Sequence, residues 1–201
     1  MQIKISSVVA ACCLVFCLQA QPDANPPYRN FPIVITLQFH SLSLPFRDFK
    51  SNFSNIGLGI GTEVGFNQKH TWVQQVSAVW YRNKAVGNGL LFYTQTAWRP
   101  GLGSGVFTEI KTGVGYLYAF RPVAALKQVN GSWETVGRKG KGLLAVPTGV
   151  SLGYQGSSAT AFLFSPFMSY QFLILKGYNK SIPIVPETLF QVGSRMQFSD
   201  R

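Results

Sequence analysis

The sequence predicts an all-β protein, an eight-stranded antiparallel up-and-down transmembrane β-barrel. Composition is the first observation behind that expectation. In 201 residues, 46% are hydrophobic and 14% aromatic but only 12% charged, about half the ~25% usual for soluble domains. No run of ~18 apolar residues occurs beyond the extreme N-terminus, which excludes a polytopic helical membrane protein. The wealth of aromatics excludes a disordered chain. The second observation is a series of eight runs of ~10 residues with period-two character, the length a tilted strand needs to cross a bilayer. The third is a rhythm of connections, alternately long and short, as in barrels with loops on one side and tight turns on the other.

The first twenty residues read as an export signal. Lys4 gives a positive start, residues 5–18 an apolar stretch, and cleavage is expected after Ala20. Lipidation at Cys12, after Val9-Ala10-Ala11, is the less favoured alternative because it would leave a very short apolar stretch. Cys12, Cys13 and Cys17 are the only cysteines, so the mature chain of 181 residues is expected to have no disulfide, thiolate metal site or catalytic thiol. Residues 21–30 form an N-terminal segment, 31–198 the barrel and 199–201 a tail.

The runs are 31–41, 56–66, 71–81, 90–98, 105–120, 143–154, 159–175 and 188–198. In a barrel the outward face is apolar and the inward face small or polar. The first run sets Ile33, Ile35, Leu37 and Phe39 outward against Thr36, Gln38 and His40. The second sets Ile56, Leu58, Ile60, Val64 and Phe66 against Gly57, Gly59, Gly61, Glu63 and Gly65. The third and fourth are ambiguous, with a polar residue on each face. The sixth sets Leu144, Val146, Val150, Leu152 and Tyr154 outward. The seventh, the most apolar, is assigned Phe162, Phe164, Met168, Tyr170 and Phe172 outward. The eighth opposes Phe190, Val192, Met196 and Phe198 to Gln191, Gly193, Arg195 and Gln197. Trp72, Trp80, Tyr81, Trp98, Tyr116, Tyr118, Phe120 and Phe198 fall near run ends, as interfacial girdles require. Pro147 and Pro166 lie inside runs and should mark a bulge or a strand end.

Connections two, four and six (67–70, 99–104 and 155–158) are short; one, three, five and seven (42–55, 82–89, 121–142 and 176–187) are longer. An even strand number puts both termini on the short-turn side, the periplasm. The long loops hold eleven Lys and Arg against three Asp and Glu. Arg121, Lys127, Arg138, Lys139 and Lys141, all in the fifth, are candidates for binding anionic lipopolysaccharide phosphates or surface glycans. A merely solvated basic face is an equal alternative.

Glu63, Glu109, Lys111 and Arg195 fall on inward faces in the periplasmic half, with formal charges that sum to zero. Unpaired charge in a lumen only wide enough for side chains is costly, so ion pairing is expected, with Gln38, Gln191, Gln75 and Gln95 as satellites. A register-fixing plug is preferred over a proton or ion pathway, because so small a lumen leaves little passage. Catalytic groups are sparse. His40 with Ser43 and Asp48 is the one arrangement suggesting a hydrolase, and Asp48 would have to fold back to orient the imidazole. His70 reads as a turn residue. No metal-ligand cluster or phosphate-binding glycine loop is present, so no metal or cofactor is expected.

On these residues the chain resembles the small eight-stranded outer-membrane β-barrels of Gram-negative bacteria, the OmpA/OmpX-like superfamily. The resemblance runs from about Phe31 to Phe198. It rests on the strand rhythm, on Gln21 after Ala20 (similar to Bacteroidota exports) and on the late Phe198. Ser199-Asp200-Arg201 follow that aromatic and no peptidoglycan-binding domain follows the barrel, so a cell-wall tether is not implied. The resemblance implies an outer-membrane location, with outer-membrane lipid, lipopolysaccharide and another outer-membrane protein as partners and no nucleic acid. The expected role is non-enzymatic, structural or accessory. Two alternatives stand beside it. A lipid A-modifying hydrolase would use His40 near Ser41 or Ser43. A soluble periplasmic lipocalin-like barrel would turn its apolar faces inward, leaving Glu63, Glu109, Lys111 and Arg195 exposed and far apart.

Overall fold

A computed structural model describes residues 31–41, 53, 55–67, 70–83, 87–120, 125–129, 131–137, 140–155, 162–178 and 183–198. Eight strands close into an antiparallel barrel: β1 (Ile33–Ser41), β2 (Ile56–Gly65), β3 (Trp72–Tyr81), β4 (Gly89–Trp98), β6 (Val106–Ala119), β9 (Lys141–Tyr154), β10 (Phe162–Lys176) and β11 (Ile184–Phe198). Each pairs with its chain neighbour, and β1 with β11 completes the circle. The wall has no free edge. The remaining strands lie in connections. β5 (Gly101–Gly103) pairs with the start of β6, and β7 (Ala125–Val129) and β8 (Ser132–Gly137) form a hairpin in the fifth connection. The short turns and both ends of the barrel chain share one rim, the turn end; the longer connections share the other, the loop end.

Alternation decides what faces out. Ile35, Ile60, Val76, Phe92, Ile110, Val150, Met168 and Val192, one from each barrel strand, are all exposed. The ambiguity in β3 and β4 resolves with Trp72, Val76 and Trp80, and Phe92 and Trp98, outward. Their polar outward neighbours satisfy one another: Gln74 donates to Thr94 at 2.5 Å and accepts from Thr96 at 2.7 Å. In β10, Phe164 and Met168 are exposed and Phe167 turns inward; the Phe162 and Phe198 side chains lie outside the described residues. Trp72 pairs with Trp98 at the turn end, while Trp80, Tyr116 and Tyr118 mark the loop end. Tyr81 departs from the expected girdle. It is 2% exposed, inside the lumen, because one step along a strand reverses the face.

Strand boundaries differ from the sequence reading by up to four residues. β11 begins four residues early and takes in Pro186 and Glu187, which the sequence reading left in the seventh connection. Pro147 makes no bulge. The β6–β9 ladder passes from Thr112↔Thr148 to Gly115↔Ala145 in constant register, so the missing N–H interrupts bonding without shifting the strand. Pro166 lies just beyond the β9–β10 ladder, which starts at Phe167↔Gly153.

The lumen is filled in layers. Towards the loop end, Leu91, Leu117, Leu143, Leu173, Leu175 and Leu189 form an apolar cluster. A belt of amides lies below it: Gln191 donates to Gln38 at 2.7 Å, and Gln171 donates to Gln191 at 2.9 Å. Glycines face the large side chains, with Gln38↔Gly57, Gln95↔Gly113 and Lys111↔Gly149 as directly opposed pairs. Small opposite large is how a narrow barrel fits its interior.

Candidate functional site

The turn-end third of the lumen holds a ring of alternating charge. Glu63 near the end of β2, Glu109 and Lys111 on β6 and Arg195 on β11 are all inward residues and all at most 5% exposed. Each reaches the axis because the alternation of its strand points it there. A fifth member, Arg99, comes from the turn after β4 and folds back into the mouth. Glu63 accepts from Arg99 Nη2 at 2.7 Å and from Arg195 Nε at 3.0 Å. Glu109 accepts from Arg99 Nε at 2.7 Å and from Arg195 Nη2 at 2.5 Å. Each arginine therefore spans both carboxylates, and each carboxylate spans both arginines. Lys111 Nζ stands 3.5 Å from Glu109 Oε2, and Gln75 donates to Glu63 at 3.1 Å.

Arg99 changes the electrostatics. The four residues singled out in the sequence are neutral together; with Arg99 the set has three cations and two carboxylates, an excess of one positive charge. Burial alone would pull the Arg99 guanidinium down, but Glu63 and Glu109 outweigh it and hold it above its ordinary value. Sequence reasoning placed Arg99 in a short turn and gave it no role. Its approach depends on the turn, where Arg99 N–H donates to Thr71 carbonyl at 2.7 Å. Aromatic faces cover the cations: Arg195 Cζ lies 4.5 Å from the Phe167 ring centre and 5.0 Å from that of Phe107. Such stacking stabilises a desolvated guanidinium.

A second polar cluster closes the loop end. His40 on β1 is fully buried and stacks on Tyr81, ring centres 4.0 Å apart. Its Nε2 pairs with Glu187 at 2.9 Å and its Nδ1 with the Asn83 amide at 2.9 Å. The Tyr81 hydroxyl also donates to Glu187, at 3.2 Å. Ser43 and Asp48, singled out with His40 for hydrolysis, lie outside the described residues. The acid that orients His40 is Glu187, which the sequence reading left in the seventh connection. Both ring nitrogens are engaged by Glu187 and Asn83, and Ser41 alternates to the other face of β1, so the imidazole is not placed as a general base.

Of the basic-loop candidates, Arg121, Arg138 and Lys139 lie outside the described residues, as does the Lys127 side chain. Lys141 is exposed and donates to the Tyr178 carbonyl at 2.7 Å. Among the described residues no group of three or more His, Cys, Asp and Glu could hold a metal. The lipocalin-like alternative fails on this geometry: its charged residues were to be exposed and far apart, and they are buried in mutual contact.

The architecture has solved counterparts. Neisserial surface protein A aligns with a TM-score of 0.55 at 16% identity, over 84% of this chain and 97% of that one. The chain has the fold of a small eight-stranded outer-membrane β-barrel. Ail of Yersinia pestis aligns at 0.45 with 15% identity over 84% of this chain and 97% of its own. The N-terminal barrel domain of Pseudomonas aeruginosa OprF aligns at 0.42 with 14% identity, over 82% and 96%. No protein-family model matches the sequence, and no curated protein does.

Proposed function

We propose that the protein is an integral outer-membrane barrel with a closed, charge-plugged lumen, acting as a structural or accessory interaction protein rather than an enzyme or a pore. The observation that carries this reading is the inside-out distribution of polarity. Apolar side chains cover the outer wall on every barrel strand, while Glu63, Gln95, Glu109, Gln171 and Gln191 are at most 2% exposed inside it. A soluble barrel would present the reverse, and an apolar skin of this extent needs lipid around it. Three filled layers, ionic, amide and aliphatic, support closure. The occupied ring nitrogens of His40 speak against hydrolysis.

In this reading residues 1–20 are a cleaved export signal, residues 21–30 and 199–201 flank the barrel, and both termini face the periplasm. The loop end faces outward. Arg121, Lys127, Arg138, Lys139 and Lys141 there would engage lipopolysaccharide phosphates, and the loops would offer the surface met by another outer-membrane protein.

Fractionation of the cell envelope, followed by gel migration of boiled and unboiled protein, tests the reading. Outer-membrane recovery with a boiling-dependent shift is expected. Recovery in the soluble periplasm without a shift would overturn it.

A further inference from the structure

The outer wall of β6 and β9 carries two threonines in the middle of its apolar band. Thr112 and Thr148 are directly opposed across the ladder, both exposed, with their hydroxyls 3.0 Å apart. Tyr116 lies four residues along β6 towards the loop end, and Tyr154 six residues along β9 towards the turn end, so the pair sits between the two aromatic levels. Polar side chains are unfavourable at that depth in lipid.

The neighbouring outward threonines are satisfied within the chain. Thr62 donates to the Pro32 carbonyl at 2.9 Å, Thr94 to the Gln75 carbonyl at 3.0 Å, Thr96 to Gln74 at 2.7 Å and Thr108 to the Ser151 carbonyl at 2.9 Å. The Thr112–Thr148 pair differs. Two hydroxyls carry two protons. One makes the bond inside the pair, and the other has no acceptor among the described residues. A hydroxyl proton without an acceptor in hydrocarbon is costly, and lipid chains supply none.

A second copy of the chain does. Two copies standing the same way up in a membrane are related by a two-fold axis along its normal, which sets Thr112 of each copy against Thr148 of the other. The four hydroxyls then close a ring in which each donates once and accepts once. The surroundings suit close contact. Ile110, Val114 and Val150 are more than half exposed around the pair, and such β-branched side chains have little rotamer freedom to lose. With Tyr116, Leu144 and Leu152 they present a face on the order of the ~800 Å² that each partner brings to a standard interface. We propose that the outer face of β6 and β9, centred on Thr112 and Thr148, is where two copies of this chain pair side by side in the membrane. The inference rests on the reading that the outer wall meets lipid.

The test is sedimentation equilibrium of the full chain, purified from the membrane, in density-matched micelles over a range of protein-to-detergent ratios. The boiling-dependent gel shift is recorded on the same samples. A reversible monomer–dimer equilibrium is expected. Thr112→Val combined with Thr148→Val removes the hydroxyls while keeping the shape of the wall. It should weaken the dimer by about tenfold or more and keep the gel shift. Val150→Trp, an apolar enlargement beside the pair that lipid accommodates, should also dissociate the dimer. Ile60→Trp on β2, across the barrel from β9, should not. A heat-shifting chain that is monomeric at every ratio means that lipid or a different protein covers the face; it overturns the inference and leaves the outer-membrane reading intact. A dimer undiminished by the valine pair and by Val150→Trp overturns it as well. Absence of the gel shift in the unsubstituted chain removes both readings together.

Discussion

Replacing Glu109 with glutamine should be among the most damaging isosteric changes in this barrel. Glu109 is fully buried and accepts from both arginines, at 2.7 and 2.5 Å, with Lys111 at 3.5 Å. Glutamine fills the same volume, so no cavity forms and the effect is electrostatic. The ring is left with three cations facing Glu63 alone. Removing one partner of a buried ion pair costs about 3–5 kcal/mol, a large share of the ~5–15 kcal/mol that stabilises a typical domain. A second substitution checks the cause. Lys111→Met deletes one of the surplus cations with little change of shape, so the double variant should recover part of the loss, with a coupling of about 0.5–3 kcal/mol. Urea unfolding of the chain in phospholipid vesicles, read by tryptophan fluorescence and by the compact unboiled band, measures all four members of the cycle. A Glu109→Gln loss below about 1 kcal/mol, or strictly additive effects of the two changes, would refute the ring as a coupled unit.

Three further outcomes are expected. Ile60→Lys, on the exposed face of mid-β2, should lower stability in vesicles by about 2–4 kcal/mol if that face meets lipid near the midplane; a neutral effect in the same urea assay would remove lipid from the outer wall. Gly113→Val would drive a Cβ into the Thr94 carbonyl and to 2.7 Å from Gln95 Cα, whereas Gly101 has nothing within 4 Å. Stability in the same urea assay should therefore fall for the first, by about 1–3 kcal/mol or more, and stay unchanged for Gly101→Ala. His70 sits in a turn with φ of 52°, and burial, then the Arg99 charge, holds its imidazole below the ordinary 6.5. The unfolded chain therefore takes up the proton first as pH falls, so stability is full above that value and declines on acidification through it. His70→Asn keeps a residue tolerant of positive φ and should flatten the decline between about pH 7.5 and about pH 5.5; unfolding midpoints at the two pH values decide.

Legibility along the chain followed the contrast between strand faces. In β2 the alternation of Ile and Leu with Gly and Glu63 leaves one way to bury the charge, so the sequence assigns its faces correctly. β3, β4 and β10 carry apolar residues on both sides because the lumen is itself aliphatic towards the loop end, where Leu91, Leu173 and Leu175 are buried. A pattern that assumes a polar interior has no signal there. Glu187 was missed because the eighth run was started at Thr188, although the strand begins at Ile184 and runs through Pro186 and Glu187. Arg99 was hidden for another reason: a turn residue has no period to say where its side chain points.

The sequence by itself determined the all-β class, the strand count, the rhythm of turns and loops and the inward placing of Glu63, Glu109, Lys111 and Arg195. These depend on local period and turn chemistry, which neighbouring residues encode. Only the tertiary structure decided which side chains meet. Barrel closure brings Glu63 to Arg195, 132 residues away, and His40 to Glu187, 147 residues away. Register and stagger around a closed sheet set those encounters. The same closure folds Arg99 over the mouth and turns a neutral set of four into a ring of five with a positive charge to spare.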